Sequence, residues 1–389
     1  MRKLSTIRTI SALTPIDGAD KIETAHIDGW TVVVGKGEFQ EGQKVLFFEI
    51  DSMLPIENPL FSFLEPRGVK IVDRVKYHRL KTVKLRGQIS QGLILPIPEI
   101  IENPEVDVDY SELLGVVKYE PYIHPDSNCK AWPEWISHTD EERIQNLDIF
   151  AQDAIFAERE YFISTEKIDG TSCTIWAKID ENGEVEHGVC SRNYGLEYDE
   201  NNLYWKIANT ECLNWGVEGV VCKPIDYVTA KCIGMHDEDK QAHTFVLQGE
   251  IFGENIQNNP LGVKGQHIRF FNCIVDGEYL TLPEVDKKYP ELRRQWVPVH
   301  NFELPENYDE IISQPDGVYS LVPEAQSDKQ VEGFVWRHVS KVYLDGVKPI
   351  DLSKVPEDKR ELVAEKVKHQ QVRASFKAIS NKYLLKHDG

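Results

Sequence analysis

The 389-residue chain is 41% hydrophobic and 28% charged, with a formal net charge of −20, which is the composition of an ordinary globular protein long enough for two domains. It has no apolar run of about 18 residues, and its start, MRKLSTIRTISALTPIDGAD, lacks an apolar block with a small-residue cleavage site, so neither a membrane span nor a secretion signal is expected. The acidic balance argues against a protein that coats nucleic acid non-specifically, because phosphate affinity needs local positive charge.

The seven cysteines (129, 173, 190, 212, 222, 232, 273) are an odd count with no Cys-x-x-Cys and no zinc-like histidine spacing. They read as buried thiols of a reducing, cytoplasmic setting. The first hundred residues carry closely spaced strand signals in TAHIDGWTVVVGKG, QKVLFFEIDSMLP and RVKYHRLKTVKLRGQISQGLILPI, separated by Gly, Pro and Asp turns. Many short strands at this spacing suggest a small barrel of OB-fold size. Between Arg67 and Arg86 eight Lys/Arg face a single acid, Asp73. That run is either a solvated face or one strand of a nucleic-acid groove.

A looser stretch with prolines follows, and the boundary is set near residue 120, giving an N-terminal domain over 1–120 and a second over 121–389. The segment SHTDEERIQNLDIFAQDAIFAER has helix starters and helix-compatible apolar spacing. Strands resume from Tyr161 in REYFISTEK, TSCTIWAKID, an ENGE turn and VEHGVCSRN.

Strand alternation in YFISTEK puts Tyr161, Ile163, Thr165 and Lys167 on one face, so Lys167 ends an apolar row. Desolvation and nearby cations would lower its pKa and leave more neutral amine to attack an electrophile. Alone, Lys-x-Asp-Gly is equally a surface lysine beside a turn. Three companions in strand-like sequence add to it: Glu250 in LQGEIFGENIQ, Glu332 in EGFVWRH and Lys377 in SFKAISNKYLLK. A nucleophilic lysine, two carboxylates and a further lysine form a set that phosphoryl chemistry needs, the carboxylates for metal or sugar and the lysine for phosphate oxygens.

This set resembles the covalent nucleotidyltransferase superfamily of ATP-dependent RNA and DNA ligases and mRNA capping enzymes. The resemblance implies that Lys167 in EKIDG forms the lysine-AMP phosphoramidate and that Arg192 in SRN is the arginine following it. It also implies that Glu250 binds the ribose, Phe271 stacks on adenine, Glu332 holds the metal and Lys377 meets the α-phosphate. Glu166 is a further candidate for adenine, and Lys382 for the second cation of the last motif, where Ile379 replaces the usual lysine. Glu218 in VEGVVCKP has a motif-like setting but precedes Glu250, so 217–224 is read as an ordinary buried strand.

Domain order narrows the choice. Only twelve residues follow Lys377, too few for the OB domain that DNA ligases and capping enzymes carry there. The barrel-like module comes first, which resembles the Deinococcus-type RNA ligases, and WPEWISHTDEERIQNL resembles the segment joining the two domains, making Arg143 and Gln145 further candidates. The expected fold is therefore α+β, an N-terminal OB-fold barrel followed by an ATP-grasp-like nucleotidyltransferase domain of antiparallel sheets with flanking helices. The expected activity is ATP-dependent sealing of 3′-OH/5′-phosphate nicks in duplex RNA or RNA/DNA hybrid by a monomer, with Mg²⁺ or Mn²⁺. A DNA ligase and a non-catalytic nucleic-acid-binding protein stand as the alternatives.

Overall fold

The structure, a computed structural model, describes residues 3–72, 74–106, 108–119, 128–147, 149–210, 213–214, 221–233, 242–343 and 374–387. Its chain divides into two compact units. The first is built from 1–123, 143–148 and 381–389; the second from 124–142 and 149–380. Among the described residues no helix is long and apolar enough to cross a membrane.

In the first unit, twelve short described strands form four antiparallel sheets. One pairs Lys44–Phe48 with both Ser5–Thr9 and Leu93–Leu95, and its inward side chains Ile7, Leu46 and Phe48 meet Leu54, Phe61 and Leu80 in a common core. Phe48 and Phe61 pack edge-on with ring centres 5.2 Å apart, the geometry favoured by the aromatic quadrupole. The basic run forms Lys70–Val72 and Val75–Arg79, paired as a hairpin, and then Thr82–Leu85. Helix Asn381–His387 also belongs to this unit, and Asn381 accepts a 3.1 Å hydrogen bond from Gln91.

Two main antiparallel sheets and a two-stranded antiparallel pair, Leu213–Asn214 with Val221–Cys222, are described in the second unit. The larger has seven strands, with Thr171–Ile179, Thr244–Gly253 and Gln266–Val275 at its centre. Alternation divides these strands sharply. Cys173, Ile175, Ala177, Leu247 and Ile251 point into a core shared with helices Leu203–Thr210 and Pro224–Cys232, while Ser172, Thr174, Gln248, Glu250 and Asn272 take the other face. The smaller sheet has the order Val299–Asn301, Phe162–Lys167, Gly333–His338, Ser375–Ile379.

The helix suggested over residues 137–159 is shorter in the structure, Ile149–Ala157, preceded by a 3₁₀ turn at Ile144–Asn146. Thr139, Asp140 and Glu141 give their side chains to partners on other elements, and those tertiary bonds override a weak local helix preference. Residues 215–220, and Glu218 with them, lie outside the described residues.

Candidate active site

Register fixes which side chains share the inner face of the four-stranded sheet. Lys167 stands opposite Gly333, and Gly333 opposite Ile379; in the next row Thr165 pairs with Val335 and Val335 with Lys377. Directly opposed residues project to the same side, so Lys167 and Lys377 occupy one face in adjacent rows. Glu332 immediately precedes Gly333, and its Oε2 accepts a 2.7 Å hydrogen bond from Lys167 Nζ. Both side chains keep partial access to solvent, at 29% and 15% exposure.

The turn after Lys167 presses against the larger sheet. A Cβ on Gly170 would collide with the Ile251 carbonyl and lie 3.0 Å from Glu250 Cγ, so only glycine permits the approach. That approach places Glu250 in the field of Lys167, Glu332, Asp169 and Arg192. Burial pushes the Glu250 carboxyl upward; Lys167 opposes this, Glu332 and Asp169 add to it, Arg192 opposes it, and the result is about 8.

For Lys167 the balance runs opposite to the expectation. Desolvation draws its pKa down, but Glu332, Glu250 and Asp169 together outweigh that, and the ammonium is held above the ordinary lysine value. The neighbours that dominate are carboxylates rather than cations. Asp169 and Glu332 stand against Lys167 and Arg192, and Glu250 joins them as a third negative charge only as pH rises through about 8. Glu332 and Asp169 are oxygen donors of the kind that hold a divalent cation, although among the described residues no three ligands are clustered ready to hold one. A Mg²⁺-type ion commonly takes only one or two carboxylates and completes its shell with phosphate oxygens and water.

The other candidates divide. Arg192 Nη2 lies 2.7 Å from Asp140 Oδ1 with both side chains substantially exposed. Phe271 is the extra residue of a β-bulge, because Gln248 pairs with Asn272 while Gly249 pairs with Phe270. Bulges re-aim a side chain, and here the Phe271 ring lies 5.9 Å from the Arg337 guanidinium and lines a small cavity with Ile163, Thr165 and Arg337. Glu166 points to the opposite face of its strand from Lys167. Its buried carboxylate accepts hydrogen bonds from Ser320 Oγ at 2.5 Å and Leu321 N at 2.9 Å, and His300 Nε2 lies 2.9 Å away. Lys382 is an exposed residue of the helix in the first unit, as Arg143 and Gln145 are buried residues of that unit.

Sequence reasoning missed Glu141 and Arg337. Arg337 Nη1 donates to Thr165 Oγ1 at 3.0 Å and Nη2 to Glu141 Oε1 at 3.0 Å. The available signal was the polar alternation in these strands, which marks a face lined for something other than core packing.

Two family models match the chain: an OB-fold domain over residues 4–97 and RNA ligase over residues 160–355. Among solved structures, an RNA ligase of Naegleria gruberi with PPi is 32% identical, with a TM-score of 0.73 and coverage of 100% of this chain and 99% of that one. A variant of the Naegleria gruberi RNA ligase with ATP and Mn is 33% identical, with a TM-score of 0.72 and full coverage of both chains. Another variant, with AMP and Mn, is 32% identical, with a TM-score of 0.74 and coverage of 100% and 99%. No curated protein sequence matches the chain.

Proposed function

The chain belongs to the RNA ligase family, and from that membership we propose that it is an ATP-dependent ligase of the Deinococcus type, sealing 3′-OH/5′-phosphate nicks in duplexes with RNA on the 3′-OH side. The observation that carries the reading is Lys167, placed at the end of a strand on an open face, hydrogen-bonded to Glu332 and surrounded by Glu250, Asp169 and Arg192. The ATP, AMP and Mn complexes of the Naegleria enzyme support the nucleotide and a divalent metal as cosubstrate and cofactor.

In this reading the neutral Lys167 amine attacks the ATP α-phosphorus. An N–P bond forms and pyrophosphate leaves. The AMP then passes to a 5′-phosphate end, releasing the lysine, and a 3′-OH attacks that end so that a phosphodiester forms and AMP departs. Charge in every step develops on phosphoryl oxygens. Lys377, one row from Lys167 on the same face, and Arg192 are suited to balance it. Glu250 takes the ribose, and Phe271 offers its ring to the base from the bulge. Glu332 would hold the metal, which when bound neutralises phosphoryl oxygens and offsets the carboxylates around Lys167.

The N-terminal OB-fold domain supplies nucleic-acid binding through its basic strands. Lys70 and Arg79 approach the ring of Tyr119 at 4.4 and 3.9 Å; Arg79 is tied to Asp51 at 2.7 Å, so the exposed Lys70, Lys76 and Lys84 are the cations suited to a phosphate backbone.

The test is incubation with ATP radiolabelled at the α-phosphate and Mn²⁺ or Mg²⁺, followed by denaturing electrophoresis of wild type and Lys167→Ala. Label on the wild type alone is expected. No label on either, with ATP and metal in excess, overturns the mechanism. Nicked duplexes with RNA or DNA 3′-OH ends then separate the RNA-sealing reading from DNA ligation.

A further inference from the structure

Residues 137–142 of the second unit cross the site as a strap, bonded at almost every residue. Ser137 O accepts from Gln248 Nε2 at 2.8 Å, and Thr139 Oγ1 lies 2.9 Å from Ser172 Oγ. Both partners are on the Glu250 face of the larger sheet. Asp140 pairs with Arg192 at 2.7 Å. The next two residues reach the smaller sheet: Glu141 Oε1 accepts from Arg337 and Oε2 from Ser375 Oγ at 2.7 Å, and Glu142 O accepts from Lys377 N at 2.8 Å. Successive residues thus stitch the Glu250 sheet to the strands of Lys167, Glu332 and Lys377.

Within this strap the Glu141 side chain is 8% exposed, and a buried carboxylate is tolerated only when paired and hydrogen-bonded. Here its Arg337 partner does two further things: it holds Thr165, two residues before Lys167 on the same face, and it meets the Phe271 ring. We propose that Glu141 is a positioning residue that sets, through Arg337, the wall of the cavity beside Phe271 and thereby the capture of the ATP base. The inference rests on the ligase reading above. Glu142 holds Lys377 through its backbone, so a change at the Glu141 side chain leaves that phosphate-side bond in place. The consequence falls on nucleotide binding, which is shared by ground and transition states, and not on the chemical step.

The experiment uses the full chain and measures initial rates of lysine labelling against ATP concentration for wild type, Glu141→Gln, Arg337→Lys and the double variant, with thermal unfolding of each without ATP. A rise in KM for ATP of about tenfold in either single variant, with the maximal rate within about threefold, is the expected split when uniform binding is removed. The double variant should be no worse than the poorer single one, because both cut the same link. Should Glu141→Gln unfold, Arg337→Lys alone carries the same KM prediction. Unchanged KM in the folded variants, or a fallen maximal rate at unchanged KM, overturns the inference while wild-type labelling leaves the ligase function standing. A wild type that takes no label overturns both.

Discussion

Lys167 Nζ and Glu332 Oε2, 165 residues apart in sequence, lie 2.7 Å apart where the end of one strand meets the residue just before its partner. The ion pair holds the amine protonated in the metal-free protein, so the proposed nucleophile is masked by the residue proposed to bind the metal. An acylating reagent that reacts only with neutral amine, read at Lys167 by peptide mass mapping across a pH series, makes the masking visible. Glu332→Gln removes the strongest of the raising charges, and half-maximal modification should move to lower pH. Mn²⁺ added to wild type should move it the same way. A profile that neither change displaces would remove the masking role from Glu332.

Glu250 makes a prediction about stability. Its carboxyl, 4.5 in ordinary surroundings, is raised to about 8 by burial first. Between those values the folded state binds the extra proton and the unfolded state does not. Stability from this group is therefore present at low pH and is lost as pH rises toward and through 8. Glu250→Gln should flatten that decline and exceed wild type by roughly 1–3 kcal/mol near pH 9, while labelling of Lys167 falls because the proposed ribose partner is gone. Urea unfolding at several pH values checks the first part.

Glu166 separates a nucleotide-binding role from a structural one. The carboxylate is buried among Ser320, Leu321 N and His300, and its removal strands donors in the interior. Glu166→Ala should destabilise the protein by about 2–4 kcal/mol, whereas Glu166→Gln should keep the KM for ATP near the wild-type value. A KM raised more than about tenfold in Glu166→Gln at an unchanged unfolding midpoint would return the carboxylate to the adenine site.

The basic strands of the OB-fold domain are tested at two salt concentrations. Lys84 is exposed and Lys81 partly so. Replacing both with Gln should weaken binding of a nicked duplex and lower the salt slope by about 1 for each phosphate left without its lysine, with lysine labelling by ATP unaffected. Equal affinity and equal slope would make the run a solvated face.

Much of the site is legible because its chemistry is local to short strands. Lys167 before an Asp-Gly turn, Glu250 in an apolar strand and Glu332 before a glycine are each marked within their own short segment, and the structure brings the three together. What depends on pairing is not legible. The sign of the Lys167 shift depends on carboxylates brought in by register, and the aim of Phe271 depends on a bulge visible only once Gly249 meets Phe270. The segment TDEER has helix-like spacing, yet its side chains are claimed by Ser172, Arg192 and Arg337, partners on strands that local spacing cannot identify. Glu166 differs from its neighbour only in strand parity, and parity alone does not say what lies behind the sheet.

The helix Asn381–His387 has a consequence for the order in which the protein is made. Its Tyr383 and Leu384 are buried in the unit whose strands begin at Ser5, and Gln91 waits 290 residues for its partner Asn381. At about 5–20 residues per second that interval is roughly 15–60 seconds. Completion of the first unit thus waits until the strands of the second have been made, and until then the surface destined for this helix lacks its cover.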